Sequence, residues 1–274
     1  MTASCSIVCY RNTPRQIVRL LESVRCADMS MQIFVVDNSK TAGLAGIARR
    51  FGAHYLHLPR NPGYGGGHNV AIREAVQAGS QYHAVMNPDI HFGAEVLPAL
   101  VDYMECNRDI GLLAPRVQYP DGRPQYLCKL LPNPIDMLMR RFLPALHRHS
   151  GRQAYYELRG SGYDRVMNVP VLSGCFMLVR TSVLPLTGLF DERFFMYFED
   201  VDLSRRIGAV ARTVYYPHVR IVHEYAKGSY RSPTLLRHHL HSAICYFNKW
   251  GWFADADRTS INGMALEALG RPPS

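Results

Sequence analysis

Gln32-Ile33-Phe34-Val35-Val36-Asp37-Asn38-Ser39 is a short apolar run that ends on three polar residues. Continuous and rich in β-branched side chains, it reads as a strand buried on both faces, the kind that parallel sheets contain. Similar segments bracket it. Upstream, Ser6-Ile7-Val8-Cys9-Tyr10 is strand-like, and Thr13-Pro14 then opens a helix with Ile17, Leu20, Leu21 and Val24 at helical spacing. Downstream, helix-like residues run to Phe51 and a third strand covers residues 54–58. A glycine-rich turn follows, then a helix from Asn69 to Ala78, then a strand over residues 82–86 that ends at Asn87-Pro88-Asp89. Strands alternating with helices predict an α/β fold with a mostly parallel central sheet flanked by helices. Ligands bind such sheets at the carboxyl ends of the strands, which here carry Tyr10-Arg11-Asn12, Asp37 and Asp89.

The chain has 274 residues, 47% of them hydrophobic, enough for one large domain or a domain with an extension. Its seven cysteines are odd in number and scattered without a Cys-x-x-Cys pair, which suits thiols in a reducing cytoplasm better than a disulfide scaffold or a zinc site. The N-terminus lacks a signal-peptide pattern, and no run approaches the roughly 18 apolar residues of a transmembrane helix, so a soluble or peripheral protein is expected. A formal charge of +9 favours anionic partners: nucleotide phosphates or an anionic membrane surface. Nucleic acid is the weakest of these classes, because zinc-finger spacing, RNA-recognition aromatics and long basic runs are all missing.

Two clusters carry the chemistry. Asn61-Pro62-Gly63-Tyr64-Gly65-Gly66-Gly67-His68-Asn69 has four glycines in five positions and is expected to be a loop of high backbone freedom, with Asn69 capping the next helix. It matches neither a dinucleotide fingerprint nor a phosphate loop. Further on, Phe190-Asp191-Glu192-Arg193-Phe194-Phe195-Met196-Tyr197-Phe198-Glu199-Asp200-Val201-Asp202-Leu203 sets Glu199, Asp200 and Asp202 behind an aromatic run. They fall in the first turn of a short helix closed by Gly208, where the helix dipole favours negative charge. A carboxylate kept ionised there, beside rings that exclude water, also suits proton abstraction from a sugar hydroxyl. An Asp at a strand end is more often a turn former or helix cap than a metal or ribose ligand, and several at successive strand ends shift that balance.

In order and spacing these residues resemble the family 2 glycosyltransferases, nucleotide-sugar enzymes of the GT-A fold, and within them the bacterial rhamnosyltransferase-like branch of surface-polysaccharide synthesis. The resemblance spans roughly residues 4–229 and is carried by the opening strand to Tyr10, Val35-Val36-Asp37-Asn38-Ser39, Asn61-Pro62-Gly63-Tyr64-Gly65, Met86-Asn87-Pro88-Asp89-Ile90, Ser173-Gly174-Cys175-Phe176-Met177, Phe190-Asp191-Glu192 and residues 195–202. It implies that Asp37 holds the nucleotide base beside Tyr10, Arg11 and Asn12, with Asn61 and Gly63 also on the donor. Asn87-Pro88-Asp89 stands where the family has Asp-x-Asp, leaving Asp89 as the carboxylate for a Mg²⁺ or Mn²⁺ that bridges the donor diphosphate. Asp200 would be the base that deprotonates the acceptor hydroxyl, supported by Glu199, with Asp202 in a capping or supporting role. His223 would complete the metal site, and Lys227 and Arg231 would neutralise diphosphate oxygens. The implied reaction is an inverting single displacement. The processive family motif Gln-x-x-Arg-Trp is missing, so one sugar or a few per encounter are expected.

dTDP-L-rhamnose is the first choice of donor and a UDP-hexose the next; the acceptor is a saccharide, first of all a lipid-linked one. Pro132-Asn133-Pro134-Ile135-Asp136-Met137-Leu138-Met139-Arg140-Arg141-Phe142-Leu143-Pro144-Ala145-Leu146-His147-Arg148-His149 mixes apolar and basic residues as an interfacial helix would, giving peripheral contact with the cytoplasmic face of an anionic membrane; a packed helix or subunit contact is the alternative. The dense His238-His239-Leu240-His241 group reads as the polar face of a helix. The expected organisation is a GT-A domain over residues 1–230, with a nucleotide-binding half (1–92) and an acceptor half (93–230), and a helical extension over residues 231–274. A homo-oligomer is left open. Two other classes remain: a nucleotidyltransferase, which would open with a basic glycine-rich loop that residues 9–14 do not supply, and a binding module that keeps the fold without activity.

Overall fold

The fold is that of a computed structural model, which describes residues 2–142, 151–224 and 232–270, the side chains of 140–142 excepted. Its strands are β1 (Ala3–Cys9), β2 (Met31–Asp37), β3 (His54–His57), β4 (Tyr82–Met86), β5 (Ile90–Phe92), β6 (Ile110–Gln118), β7 (Met167–Asn168), β8 (Phe176–Arg180) and β9 (Arg212–His223). The helices are α1 (Pro14–Cys26), α2 (Ala45–Arg50), α3 (Gly63–Gln77), α4 (Val96–Cys106), α5 (Pro134–Phe142), α6 (Arg152–Tyr156), α7 (Leu184–Thr187), α8 (Glu199–Gly208), α9 (Pro233–Trp250) and α10 (Ala256–Ala268).

One sheet runs in the order β3-β2-β1-β4-β8-β6-β9-β5, with β7 on β9. β1 pairs in parallel with β2 and β4, and β2 with β3, which is the predicted parallel half. Past β4 the direction changes: β8 is antiparallel to β4 and β6, while β6 and β9 are parallel. The first strands are apolar throughout because both faces are covered. Ile7, Ile33 and Val35 join Ile17, Leu20 and Leu21 of α1 on one side, and Val8, Phe34 and Val36 meet Ala71 and Ala75 of α3 on the other. Pro14 at the first position of α1 pre-sets the backbone, and Gln16 Oε1 accepts the Thr13 amide (3.1 Å), which starts the helix where the sequence places it.

Beneath α3 a chain of polar side chains crosses the sheet. Ser4 Oγ lies 2.7 Å from Ser80 Oγ and 2.8 Å from His83 Nδ1, and Ser6 Oγ bridges His83 Nε2 (2.7 Å) to His68 Nδ1 (2.6 Å). Burial lowers the pKa of His83 to about 3 and that of His68 well below the ordinary value, so both are neutral hydrogen-bonding spacers.

The glycine-rich stretch is the start of a helix and not the predicted loop: α3 begins at Gly63, and Asn69 lies inside it rather than capping it. Only Gly63 needs the left-handed backbone (φ +86°); a Cβ there would stand 2.2 Å from Phe195 O. At Gly65 it would meet Phe190 Cβ at 2.8 Å, and at Gly67 Val8 Cγ2 at 2.9 Å. Close approach of Phe195 and Phe190 at Gly63 and Gly65, of Pro62 at Gly66 and of Val8 at Gly67 therefore explains the composition. Asn69 is buried and brackets Phe190, donating from Nδ2 to its carbonyl (2.8 Å) and accepting its amide at Oδ1 (3.0 Å).

The acidic segment forms α8 as expected, with Glu199, Asp200 and Asp202 in its first turn. Asp202 is wholly buried and neither caps the helix nor faces solvent. It pairs with Arg206 Nε (2.8 Å) and Lys249 Nζ (2.7 Å) and accepts from Trp250 Nε1 (2.8 Å), tying α8 to the end of α9. Arg205 makes a bidentate pair with Asp255, both bonds 2.7 Å, which holds the connection between α9 and α10. Of the basic apolar segment, α5 is described. Its Met137 turns inward to the cluster of Phe194, Phe198 and Tyr246, while Ile135 and Leu138 are exposed. The remainder of that segment, with Arg148, lies outside the described residues. Among the described residues no helix is long and apolar enough to cross a membrane.

Asp202→Ala leaves two cations without their buried counter-charge. Chemical denaturation should show a loss of about 3 kcal/mol, the lower end for breaking a buried ion pair because Arg206 and Lys249 keep some contact with water. A loss under about 0.5 kcal/mol, the range of an ordinary surface substitution, would contradict the clamp.

Candidate active site

A cleft of about 1860 Å³ opens along the carboxyl ends of the central strands. Tyr10, Arg11, Asn12, Asn61, Gly63, Asn87, Asp89, Glu199, Asp200 and His223 all line it. A pocket for one small ligand is typically 300–1,000 Å³, so there is room for two substrates.

One end of the cleft is built from the turns after β1, β2 and β3. Tyr10 is exposed at the rim and Arg11 lies over its ring at 5.2 Å, with the Arg11 amide donating to Ser39 Oγ (2.9 Å). Asn61 Oδ1 accepts from Asn38 Nδ2 (3.1 Å) and from the Gly63 amide (3.2 Å), which fixes the entry to α3. Asp37 is placed differently from the others. It is 1% exposed, does not line the cleft, and its carboxylate accepts from Tyr55 Oη (2.8 Å) and the Ser39 amide (3.0 Å). It braces the turn behind the rim.

At the centre, His223 at the end of β9 faces Asp89, which follows β4, with Nε2 3.3 Å from Oδ1. Gln125 orients the imidazole. Its Nε2 donates to His223 O (2.8 Å), leaving Oε1 to accept from Nδ1 (2.9 Å), which holds the ring with Nε2 facing the carboxylate. Asp89 Oδ1 is buried and has no hydrogen bond, and Asn87 Nδ2 lies 3.4 Å from His223 Nε2. An imidazole and an unsatisfied carboxylate oxygen facing each other fit a divalent cation that takes its other ligands from phosphate and water. Among the described residues there is no cluster of three or more metal-ligating groups. Lys227 and Arg231 lie outside the described residues.

Across the cleft, Asp200 is held by backbone amides: Oδ2 accepts from Gly174 N (3.0 Å) and Oδ1 from Val201 N (2.9 Å). Gly174 is held in turn by Tyr64, whose hydroxyl donates to its carbonyl at 2.5 Å. Tyr64 was quoted in the glycine-rich cluster without a role, and Gln125 carried no sequence signal at all; only the fold brings them to the site. Glu199 stands beside Asp200 and is buried. Burial first, and the neighbouring Asp200 second, raise its pKa well above the ordinary value, which favours the protonated form.

The histidine group of α9 also differs from a solvated polar face. His238 and His239 line the cleft, His238 stacking on Phe195 at 4.3 Å and His239 packing near Tyr197 and Phe198 at 5.2 and 5.5 Å.

A neutral buried Glu199 has a sign that can be tested. Above the ordinary carboxyl pKa the unfolded chain releases this proton while the folded chain keeps it, so the group lowers stability progressively as pH rises. Glu199→Gln removes that dependence. Its urea midpoint should gain on that of the wild type between about pH 5 and about pH 8; parallel curves would contradict the assignment.

Comparison with known proteins agrees with this geometry. The profile of glycosyl transferase family 2 matches residues 5–184. The chain is 31% identical over 280 residues to the N-acetylglucosaminyl-diphospho-decaprenol L-rhamnosyltransferase of Mycobacterium tuberculosis, covering 96% of this chain and 91% of that protein. It is 30% identical over 242 residues to the rhamnosyltransferase WbbL of Escherichia coli, covering 84% and 87%. The solved mannosyltransferase PcManGT of Pyrobaculum calidifontis, in complex with GDP-Man and Mn²⁺, has a TM-score of 0.60 at 16% identity over 98% of this chain and 72% of that one. GalNAc-T7 with UDP, GalNAc and Mn²⁺ has a TM-score of 0.63 at 14% identity over 92% of this chain, which spans 50% of that protein. The strand order, the sequence match over most of the chain and the shared fold agree: this is a GT-A protein that belongs to the family 2 glycosyltransferases, similar within them to the rhamnosyltransferases.

Proposed function

We propose that this protein transfers a hexose, in the first place L-rhamnose from dTDP-L-rhamnose, to a saccharide linked through diphosphate to a polyprenyl lipid, with inversion at the anomeric carbon. The observation that carries the reading is the opposition in one cleft of the Asp200 carboxylate and the Asp89–His223 pair. The likeness to the mycobacterial rhamnosyltransferase along nearly the whole chain supports the choice of sugar and acceptor.

Tyr10, Arg11, Asn12 and Asn61 line the end where the nucleoside would lie, with Asp37 bracing the turn behind them. Asp89 and His223 would hold a Mg²⁺ or Mn²⁺, assisted by Asn87. When bound, that ion neutralises charge on the diphosphate oxygens. Asp200 takes the proton of the acceptor hydroxyl as its oxygen bonds to the anomeric carbon and the bond to the diphosphate breaks. The two backbone amides on Asp200 fix the position of its carboxylate. Burial, which raises the pKa of Glu199, disfavours a second negative charge beside Asp200. Phe195, Tyr197 and Phe198 make this wall of the cleft aromatic. Ile135 and Leu138, exposed on α5, would meet the interface in which the acceptor lipid is anchored, making the enzyme peripheral on the inner face of the membrane.

Asp200→Asn keeps shape and removes the proton acceptor. Transfer should fall by about 10²–10⁴ while affinity for the donor is kept. A radiolabelled-sugar assay with dTDP-L-rhamnose and with UDP-hexoses, run in Mn²⁺ and in EDTA, tests base, donor and metal together. Turnover of the variant above half of wild type would remove Asp200 from the mechanism, equal wild-type rates in EDTA would remove the metal, and turnover with UDP-hexoses alone would replace the donor.

A further inference from the structure

Beyond the reacting centre the cleft has a third region that donor binding and proton transfer leave unused. Its wall is formed by the segment after β6 and by α6, and includes Tyr126, Lys129, Gln153, Glu157 and Arg159. The cations of this wall are not equivalent. Arg159 is committed to Glu157 at 2.6 Å and lies over the Tyr126 ring at 4.6 Å. Arg123, nearer the rim, pairs with Asp121 at 2.7 Å. Lys129 is half-buried, and its ammonium has no ion pair or hydrogen bond among the described residues.

The backbone fixes where Lys129 stands. Its N–H donates to Val171 O and its C=O accepts from Val171 N, both at 3.1 Å. Val171 comes three residues before Gly174, the residue that holds Asp200. The base of the Lys129 side chain is thus anchored beside the reacting centre. It lies on the side toward β6, whereas the nucleoside end lies on the side of β1, β2 and β3. Lys129 and Asp200 line the same cleft, so a sugar whose hydroxyl faces Asp200 can extend its own anomeric substituent toward Lys129.

We propose that Lys129 is the cation of an acceptor subsite that binds the diphosphate linking the acceptor sugar to its lipid. A half-buried lysine without an ion pair among the described residues is suited to this. It gains a charge-assisted contact only when a phosphate oxygen arrives, with no internal ion pair to break. The inference rests on the proposed lipid-diphosphate acceptor and adds the residue that recognises it.

The test uses a short-chain prenyl-diphosphate-linked N-acetylglucosamine and the corresponding phosphate-free glycoside as acceptors for wild type, Lys129→Gln and Lys129→Arg. For wild type the diphosphate acceptor should have the lower KM. In Lys129→Gln that KM should rise about ten- to a hundredfold, the range for losing a hydrogen bond to a charged group. The KM of the donor, the rate with the phosphate-free acceptor and the melting temperature should stay unchanged, and Lys129→Arg should restore most of the loss. A rise in donor KM would assign Lys129 to the donor diphosphate and overturn the proposal. An unchanged acceptor KM in Lys129→Gln would overturn it while leaving the acceptor class intact. Failure of the wild type to use the diphosphate acceptor at all would overturn both the acceptor class and the subsite.

Discussion

The contact on which the active site depends is the close approach of the start of α3 to residues 190–195. Gly63 leaves no room for a Cβ under Phe195 O, the Tyr64 amide donates to that same carbonyl at 2.9 Å, and Asn69 grips both backbone groups of Phe190. Two segments more than a hundred residues apart in sequence are thereby locked together across the cleft. One consequence is that the Tyr64 ring comes to lie where its hydroxyl reaches Gly174, which in turn reaches Asp200. Asp200, the proposed proton acceptor, is thus positioned from the first turn of α3 as well as from its own helix. The buried His68, edge-on to Tyr64 at 4.4 Å and tied through Ser6 to His83, extends the brace into the middle of the sheet.

This contact also explains what was legible in the sequence. The strands β1 to β4 and their connecting helices follow from short-range signals: apolar runs, Thr13-Pro14, and polar residues at the strand ends. Those signals depend on local burial and helix-start geometry, which the sequence records directly. The glycine cluster was read for backbone freedom because that is the usual local meaning of glycine. Its actual cause is a tertiary one, the absence of side chains where another segment passes, and only Gly63 has the positive φ. The partial reversal of strand direction after β4 and the inward turn of His238 and His239 likewise depend on packing with distant elements.

The carboxylates show the same division. Their place in the first turn of α8 was legible, but their separate characters were not, because these come from surroundings contributed by other parts of the chain. Asp202 meets Lys249 and Trp250 and becomes a structural clamp. Glu199 is buried, which pushes its pKa up. Asp200 meets the Gly174 amide and faces the cleft. Three acids within four residues thus have three fates. Asp37 differs from all of them: found at a strand end by pattern, it is buried behind the rim by Tyr55.

The central claim is that one carboxylate, Asp200, activates the acceptor on one face of the donor sugar while the diphosphate leaves from the other. The stereochemistry of the product tests it most directly. Proton NMR of the glycoside formed in a single turnover should show an anomeric configuration opposite to that of the nucleotide-linked donor. Retention of the donor configuration would require a second displacement and a nucleophile on the opposite face, and would contradict the account.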